Sequence, residues 1–448
     1  MGRSDALVGR TTVTRESEMN GLRKTVAGVI VATIAITGIF DGLAGAATPP
    51  AVPVPAKGAR PAFGVQFHAT WSNYTDAQRT AVLDSLAAAH VEWIRVDLGW
   101  SSFEEHGKGQ ISQWYAGMVD SVVDQAQARG IKVLGTLWLT PAWANGGQGT
   151  RVPPSNPADY ADFARWAASR YQGRVSAWEV WNEPNQDTFW IGSDPVRYAA
   201  LVKAAYPAFK AGDPRALVLA GSVAENDTTW LERMYAAGAG GSFDVLSTHP
   251  YQGPADAPPE LPDDGNKWVL DHVGAVHRLM VAHGDEAKPI WGTEYGWSTH
   301  ANGPSTPNWE KGVTEAQQAD YLTRSLAFFG SKHPYVTNVF WYEERNEGTS
   351  SAHIDNYGLL RHDLSPKPAY YQLRQALSTT DPTPIPTPAP VAPGPDAGGP
   401  APAPALPSTP PAPAHSEAGA ESWPGAEADP GAEASSGPRS TLPPRARL

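Results

Sequence analysis

Between Phe63 and Leu377, short β-rich apolar runs alternate with longer stretches whose apolar residues recur every three to four positions. The strand candidates are Phe63–His68, Val91–Asp97, Lys132–Leu137, Ser176–Trp181, Leu217–Gly221, Phe243–Thr248, Pro289–Thr293 and Thr337–Trp341. Helical patterns fill the gaps at Asp76–His90, Gln113–Arg129, Pro157–Tyr171, Pro195–Ala211, Thr228–Ala237, Lys267–His283, Thr314–Ser331 and Pro366–Leu377, with Asp76 a candidate N-cap. Strands that alternate with helices predict a parallel α/β protein. Eight such units are the number that closes a (β/α)₈ TIM barrel, and about 320 residues lie within its usual span. A doubly wound open sheet is the structural alternative. No Gly-rich phosphate loop follows the first strand, which speaks against a nucleotide site there.

The two ends differ from this pattern. Arg23-Lys24 precedes an apolar run from Thr25 to Phe40, and Ala44-Gly45-Ala46-Ala47 follows. That order predicts a secretory signal over residues 1–47, with Met19 as an alternative start. A retained signal anchor is the rival reading, but Asp41 cuts the run short of the roughly 20 residues that span a bilayer. No other stretch is long and apolar enough to span, so no membrane span is expected in the mature chain. Residues 48–60 are rich in Pro and Ala and read as a linker. Residues 379–448 are dominated by Pro, Ala, Gly, Ser and Glu and read as a disordered tail. One catalytic domain over 61–378 and a secreted or cell-surface location follow as expectations.

Composition narrows the function. The net charge of −12 without a basic stripe makes nucleic acid a poor partner. The absence of cysteine excludes disulfides and thiolate metal ligands. Histidines are dispersed with no His-x-x-x-His and no Asp-rich loop, so neither a metal nor a cofactor is expected. A Gly-x-Ser-x-Gly elbow is also absent. Seventeen tryptophans are compatible with sugar stacking and equally with core packing.

The chemistry concentrates at strand ends. Trp178-Glu179-Val180-Trp181-Asn182-Glu183-Pro184 and Ile290-Trp291-Gly292-Thr293-Glu294-Tyr295-Gly296 each read as a strand that ends in a carboxylate. In a barrel, the C-terminal strand ends share one mouth. This would gather His68, Arg95, Asp97, Trp138, Asn182, Glu183, His249, Tyr251, Glu294 and Trp341 there. Two carboxyl groups at such a mouth are the equipment of glycoside hydrolysis: one protonates the leaving oxygen, the other attacks the sugar or activates water. Glu179 is expected elsewhere in the barrel wall, and Glu343 and Glu344 are the rivals of Glu294.

With these residues in place, the region from Phe63 to about Leu377 resembles clan A glycoside hydrolases. The resemblance implies that Glu183 in Asn182-Glu183-Pro184 is the acid/base and Glu294 in Thr293-Glu294-Tyr295-Gly296 the nucleophile. It further implies that Arg95 lies near the nucleophile, that His249-Pro250-Tyr251 follows strand six, and that Trp341 lies under the sugar. Asn182 would bind the sugar 2-hydroxyl, and His68 and Trp138 are further substrate-binding candidates. The run Leu137-Trp138-Leu139-Thr140-Pro141-Ala142-Trp143-Ala144 is similar to family 39; family 5, whose members often carry a His-Asn pair near the end of strand three where this chain has Leu137-Trp138, is the second choice. The expected activity is that of a retaining β-glycosidase on an oligo- or polysaccharide, with cell-wall polysaccharide among the candidate partners. An inverting hydrolase, a transglycosylase and a non-catalytic polysaccharide-binding or cell-envelope protein remain open.

Overall fold

The computed structural model describes residues 58–378. The leader, nearly all of the linker and the tail expected from the sequence lie outside the described residues.

Eight parallel strands form a closed barrel: β1 (Ala62–Gln66), β2 (Trp93–Gly99), β3 (Lys132–Trp138), β4 (Ala177–Val180), β5 (Leu217–Ala224), β6 (Val245–His249), β7 (Ile290–Tyr295) and β8 (Val336–Trp341). Each pairs with the next, and β8 returns to β1 with Gly64 beside Phe340. The open-sheet alternative is thereby excluded. Helices Asp76–Ala88, Gln113–Ala128, Pro157–Arg170, Pro195–Gly212, Thr228–Ala236, Val273–Ala282, Glu315–Lys332 and Pro368–Ser378 each follow one strand. Among the described residues, no helix is long and apolar enough to cross a membrane.

Local chemistry sets the helix starts. Thr75, not Asp76, caps the first helix, since its side chain accepts from the Gln78 amide while Gln78 reaches back. Asn156 and Asp194 cap helices whose first residues are Pro157 and Pro195, where a missing N–H costs nothing. The helix expected from Lys267 begins only at Val273, after a 3₁₀ turn over Leu270–His272.

Side chains alternate between the barrel interior and the shell under the helices. The interior floor is apolar: Trp93, Leu134, Ala177, Leu219, Val245, Trp291 and Phe340 pack together. Two residues further toward the C-terminal ends, the inward positions turn polar, with Arg95, Thr136, Glu179 and Ser247 buried there. The apolar floor closes the barrel from below and removes water from the charged layer above it.

Gly64 makes the closing seam fit. A Cβ there would stand 2.3 Å from the Phe340 ring. Gly64→Ala should therefore destabilise the fold by about 1–3 kcal/mol through overpacking, measured by denaturant unfolding. Adding Phe340→Leu should recover part of the loss. A neutral single variant, or a double variant whose losses simply add, would contradict this packing.

Candidate active site

The end of β4 is where sequence alternation breaks. Glu179 faces the interior and Val180 the shell, but Trp181 joins the shell too, packed against Trp190 at 4.9 Å. Trp181 and Glu183 take left-handed backbone angles, with φ of 68° and 42°, a conformation uncommon for such residues and concentrated at functional sites. Both Asn182 and Glu183 then reach the mouth. A bulge in β5 at Gly221–Val223 turns the Ser222 carbonyl to accept the Glu183 amide at 3.0 Å.

Arg95, fully buried on β2, ties the site together. Its Nε donates to Glu179 Oε2 at 2.7 Å, Nη1 to Glu294 Oε1 at 2.6 Å and to Gln66 Oε1 at 2.7 Å, and Nη2 to Asn182 Oδ1 at 2.7 Å. Gln66 in turn donates to Asp97 at 3.0 Å. The other oxygen of Glu294 accepts from the Tyr251 hydroxyl at 3.1 Å. His249 Nδ1 lies 2.8 Å from Glu183 Oε1 and 3.6 Å from Glu294 Oε2. One oxygen each of Glu183 and Glu294 and a ring nitrogen of His249 lie within 4.8 Å of one another.

Burial dominates the titration. It pushes Glu183 up to about 7, with Arg95 opposing and Glu179 adding to the rise. Burial also pulls His249 down to about 4, so its imidazole is neutral at pH 7. Glu179 is the contrary case: burial works against its charge, but Arg95, with help from His249 and Ser247, outweighs it and holds the carboxyl below its usual value. For Glu294 the same cation does not win. Instead burial outweighs the pull of His249 and Arg95, and the carboxyl lies above its ordinary value.

The remaining expected residues are placed unevenly. Trp138 sits half-buried at the end of β3, its ring 6.1 Å from Phe189 and its Nε1 without a hydrogen-bond partner. His68 stacks on Trp71 at 3.9 Å and faces Glu343 and Glu344 rather than the central pair. Those two glutamates, the rivals of Glu294, belong to that neighbouring cluster.

Trp341 is a correction. Expected under the sugar, it is fully buried in the shell against Tyr295 and Trp297, with Nε1 donating to the Tyr357 carbonyl at 3.1 Å. Phe340 occupies the interior floor, so the period of two sends Trp341 outward and Tyr342 inward. Tyr342 packs edge-on to His68, Tyr251 and Tyr357 at 5.5, 6.4 and 5.5 Å. Trp190 and Trp297 are likewise buried in the shell. Sequence reasoning also missed Glu179, which shares Arg95 with Glu294 from one layer below, and Gln66. Inward alternation from Trp93 and Ala177 would have paired Arg95 with Glu179.

A closed (β/α)₈ barrel with two carboxyl groups facing across its mouth defines a class, and comparison with known proteins specifies it. The family model "Cellulase (glycosyl hydrolase family 5)" matches residues 54–341. The chain belongs to this clan A family. No curated protein matches it. A family 39 glycoside hydrolase from the gut symbiont Bacteroides cellulosilyticus superposes with a TM-score of 0.56 at 25% identity, covering 73% of this chain and 65% of that one. The chain thus spans just under two thirds of that enzyme's length. A monomeric β-xylosidase from Caulobacter crescentus (TM-score 0.53, 18% identity, 71% of this chain and 69% of that one) shares the fold. So does a GH5_18 enzyme from Streptomyces cattleya in complex with GlcNAc (0.55, 18%, 73% and 83%). The clan A resemblance seen in the sequence thus holds, and families 5 and 39 both stand among its structural neighbours.

Removing Arg95 should do more than weaken one contact. Arg95→Met leaves Glu179 buried without its cation and should cost about 3–5 kcal/mol. Arg95→Met with Glu179→Leu should recover part of that in urea unfolding. Deleting the cation also removes a pull that lowers Glu294, so the Glu294 carboxyl should rise further and the acidic limb of the rate profile should move to higher pH. An unshifted limb, together with additive stability losses, would contradict the shared pairing.

Proposed function

We propose that this protein is an exported retaining β-glycosidase that acts on an oligo- or polysaccharide by double displacement. The observation that carries the reading is the spacing of the two carboxyl groups. Oxygens of Glu183 and Glu294 lie within 4.8 Å of each other. Retention uses carboxyl groups roughly 5–5.5 Å apart, whereas inversion needs roughly 6.5–9.5 Å to admit a water.

The surroundings divide the labour. Glu294 accepts from Arg95 on one oxygen and Tyr251 on the other. Two donors hold its lone pairs in line for attack on the anomeric carbon and favour the ionised form. Glu183 has no cationic partner of its own and is pushed up to about 7, which suits an acid that gives its proton to the leaving oxygen near neutral pH. When Glu294 becomes an ester its negative charge disappears, and Glu183 can then take a proton from water as base. Asn182, held by Arg95, is set to bind the sugar 2-hydroxyl, and Trp138 at the end of β3 and Tyr342 just after β8 are further candidates for substrate contact. Export rests on the N-terminal pattern of basic, apolar and small residues. A β-xylosidase and a GlcNAc complex among the structural neighbours make aryl β-xylosides and N-acetylglucosaminides the first probes, ahead of glucosides, mannosides and cell-wall polysaccharides.

The test is Glu183→Gln. General acid catalysis is worth roughly 10²–10⁴-fold, so substrates with poor leaving groups should lose about that much in kcat/KM and activated aryl glycosides much less. The wild-type rate should fall as pH rises through about 7, where Glu183 loses its proton, and the variant should lack this basic limb. Equal losses across leaving groups, or a preserved limb, would remove Glu183 from the role.

A further inference from the structure

Beside the catalytic pair lies a second cluster that the proposed mechanism does not use. At the seam where β8 returns to β1, His68, Trp71, Tyr74, Glu343, Glu344 and Glu347 line a small cleft. His68, Glu343 and Glu344 are nearly or fully buried. His68 Nδ1 stands 3.1 Å from Glu343 Oε2 and 3.7 Å from Glu344 Oε2. None of these atoms, nor Glu343 Oε1, has a hydrogen-bond partner. Buried polar groups are normally satisfied, and four in one spot require an explanation. The free space is about 10 Å³, room for one water or one ion and not for a sugar ring.

We infer that this cleft is a binding site for one divalent transition-metal ion, with His68, Glu343 and Glu347 as ligands. One donor atom from each lies within 4.8 Å of the others. Metal bonds of roughly 2.0–2.2 Å place ligand atoms roughly 3 Å apart, the spacing already present between His68 Nδ1 and Glu343. Asp97 stands 3.9 Å from the imidazole Nε2, beyond direct hydrogen-bond distance. The Tyr342 hydroxyl donates to Glu347 at 3.1 Å. An imidazole nitrogen with carboxylate oxygens suits Zn²⁺ or Mn²⁺; Ca²⁺ takes six to eight oxygens. Arg345 also lines the cleft; its guanidinium lies 3.8 Å over the Tyr74 ring and donates to the Asn73 carbonyl. The ion would clamp the segment after β8 to the end of β1 and fix Tyr342 at the mouth. The sequence gives no hint of it, since His68 and Glu343 are 275 positions apart.

The test needs no substrate and is independent of the glycosidase reading. The full chain is stripped with a chelator, exchanged into chelator-free buffer, and titrated separately with Zn²⁺, Mn²⁺ and Ca²⁺ by calorimetry and thermal unfolding. Metal content is measured after gel filtration. One equivalent of Zn²⁺ or Mn²⁺ should bind, and the melting temperature should rise with ion concentration. Affinity should fall by roughly 10-fold or more in Glu343→Gln and in His68→Asn. No binding of any of the three ions, binding of Ca²⁺ alone, or binding that survives both substitutions would overturn the proposal. So would loss of binding in Glu183→Gln, which would put the ion between the catalytic carboxyl groups. Should one cleft variant fail to fold, the other cleft variant and Glu183→Gln still separate the cleft from the catalytic pair.

Discussion

The site depends on one buried cation. Arg95 is sealed inside the barrel and spends every face of its guanidinium on the mouth: Glu179 below, Glu294 across, Asn182 and Gln66 to the sides. Burial alone would pull the group down, but Glu179, Glu294 and Asp97 outweigh it and hold it protonated. A lone buried charge of this kind would be costly, and a pair with one partner removed costs several kcal/mol. The planar fork also fixes direction, which a lysine would not. Four strands, β1, β2, β4 and β7, contribute to this network, so the position of Glu294 is coupled to the closure of the barrel.

The layers explain why two glutamates so close together can differ. The aromatic floor keeps water out from below, and burial is the largest influence on Glu183, Glu294 and His249 alike. What separates the two carboxyl groups is the set of donors each meets. Glu294 has a guanidinium and a phenol, whereas Glu183 has a neutral imidazole. A shared dry environment raises both, and partner chemistry then sets which one keeps its proton.

Much of the architecture was legible because it is written in local periodicity. All eight strands stand within a few residues of their expected bounds, as do the helices apart from the late start of the one expected from Lys267, and the gathering of Arg95, Asn182, Glu183, His249, Tyr251 and Glu294 followed from strand-end position alone. What was not legible depends on contacts between distant residues or on breaks in the period. Arg95 and Glu294 are 199 positions apart, and no local pattern weighs burial against a cation. The left-handed Trp181 reverses the side its neighbours face. Trp341 was misread although the rule was available, because the identity of a tryptophan drew more weight than the inward position of Phe340 one residue earlier. The N-cap went to Asp76 for a similar reason: either residue type can cap, and the reciprocal Thr75–Gln78 pair decides it.

The central claim is that Glu294 forms a covalent bond to the sugar while Glu183 moves the proton, and stereochemistry reports on it directly. Time-resolved proton NMR of the first turnover of a β-linked aryl glycoside reads the configuration of the released sugar before mutarotation. Two successive displacements at one carbon leave the β-anomer as the first product. A first product in the α-configuration would mean that water, not Glu294, attacks the anomeric carbon, and would contradict the account.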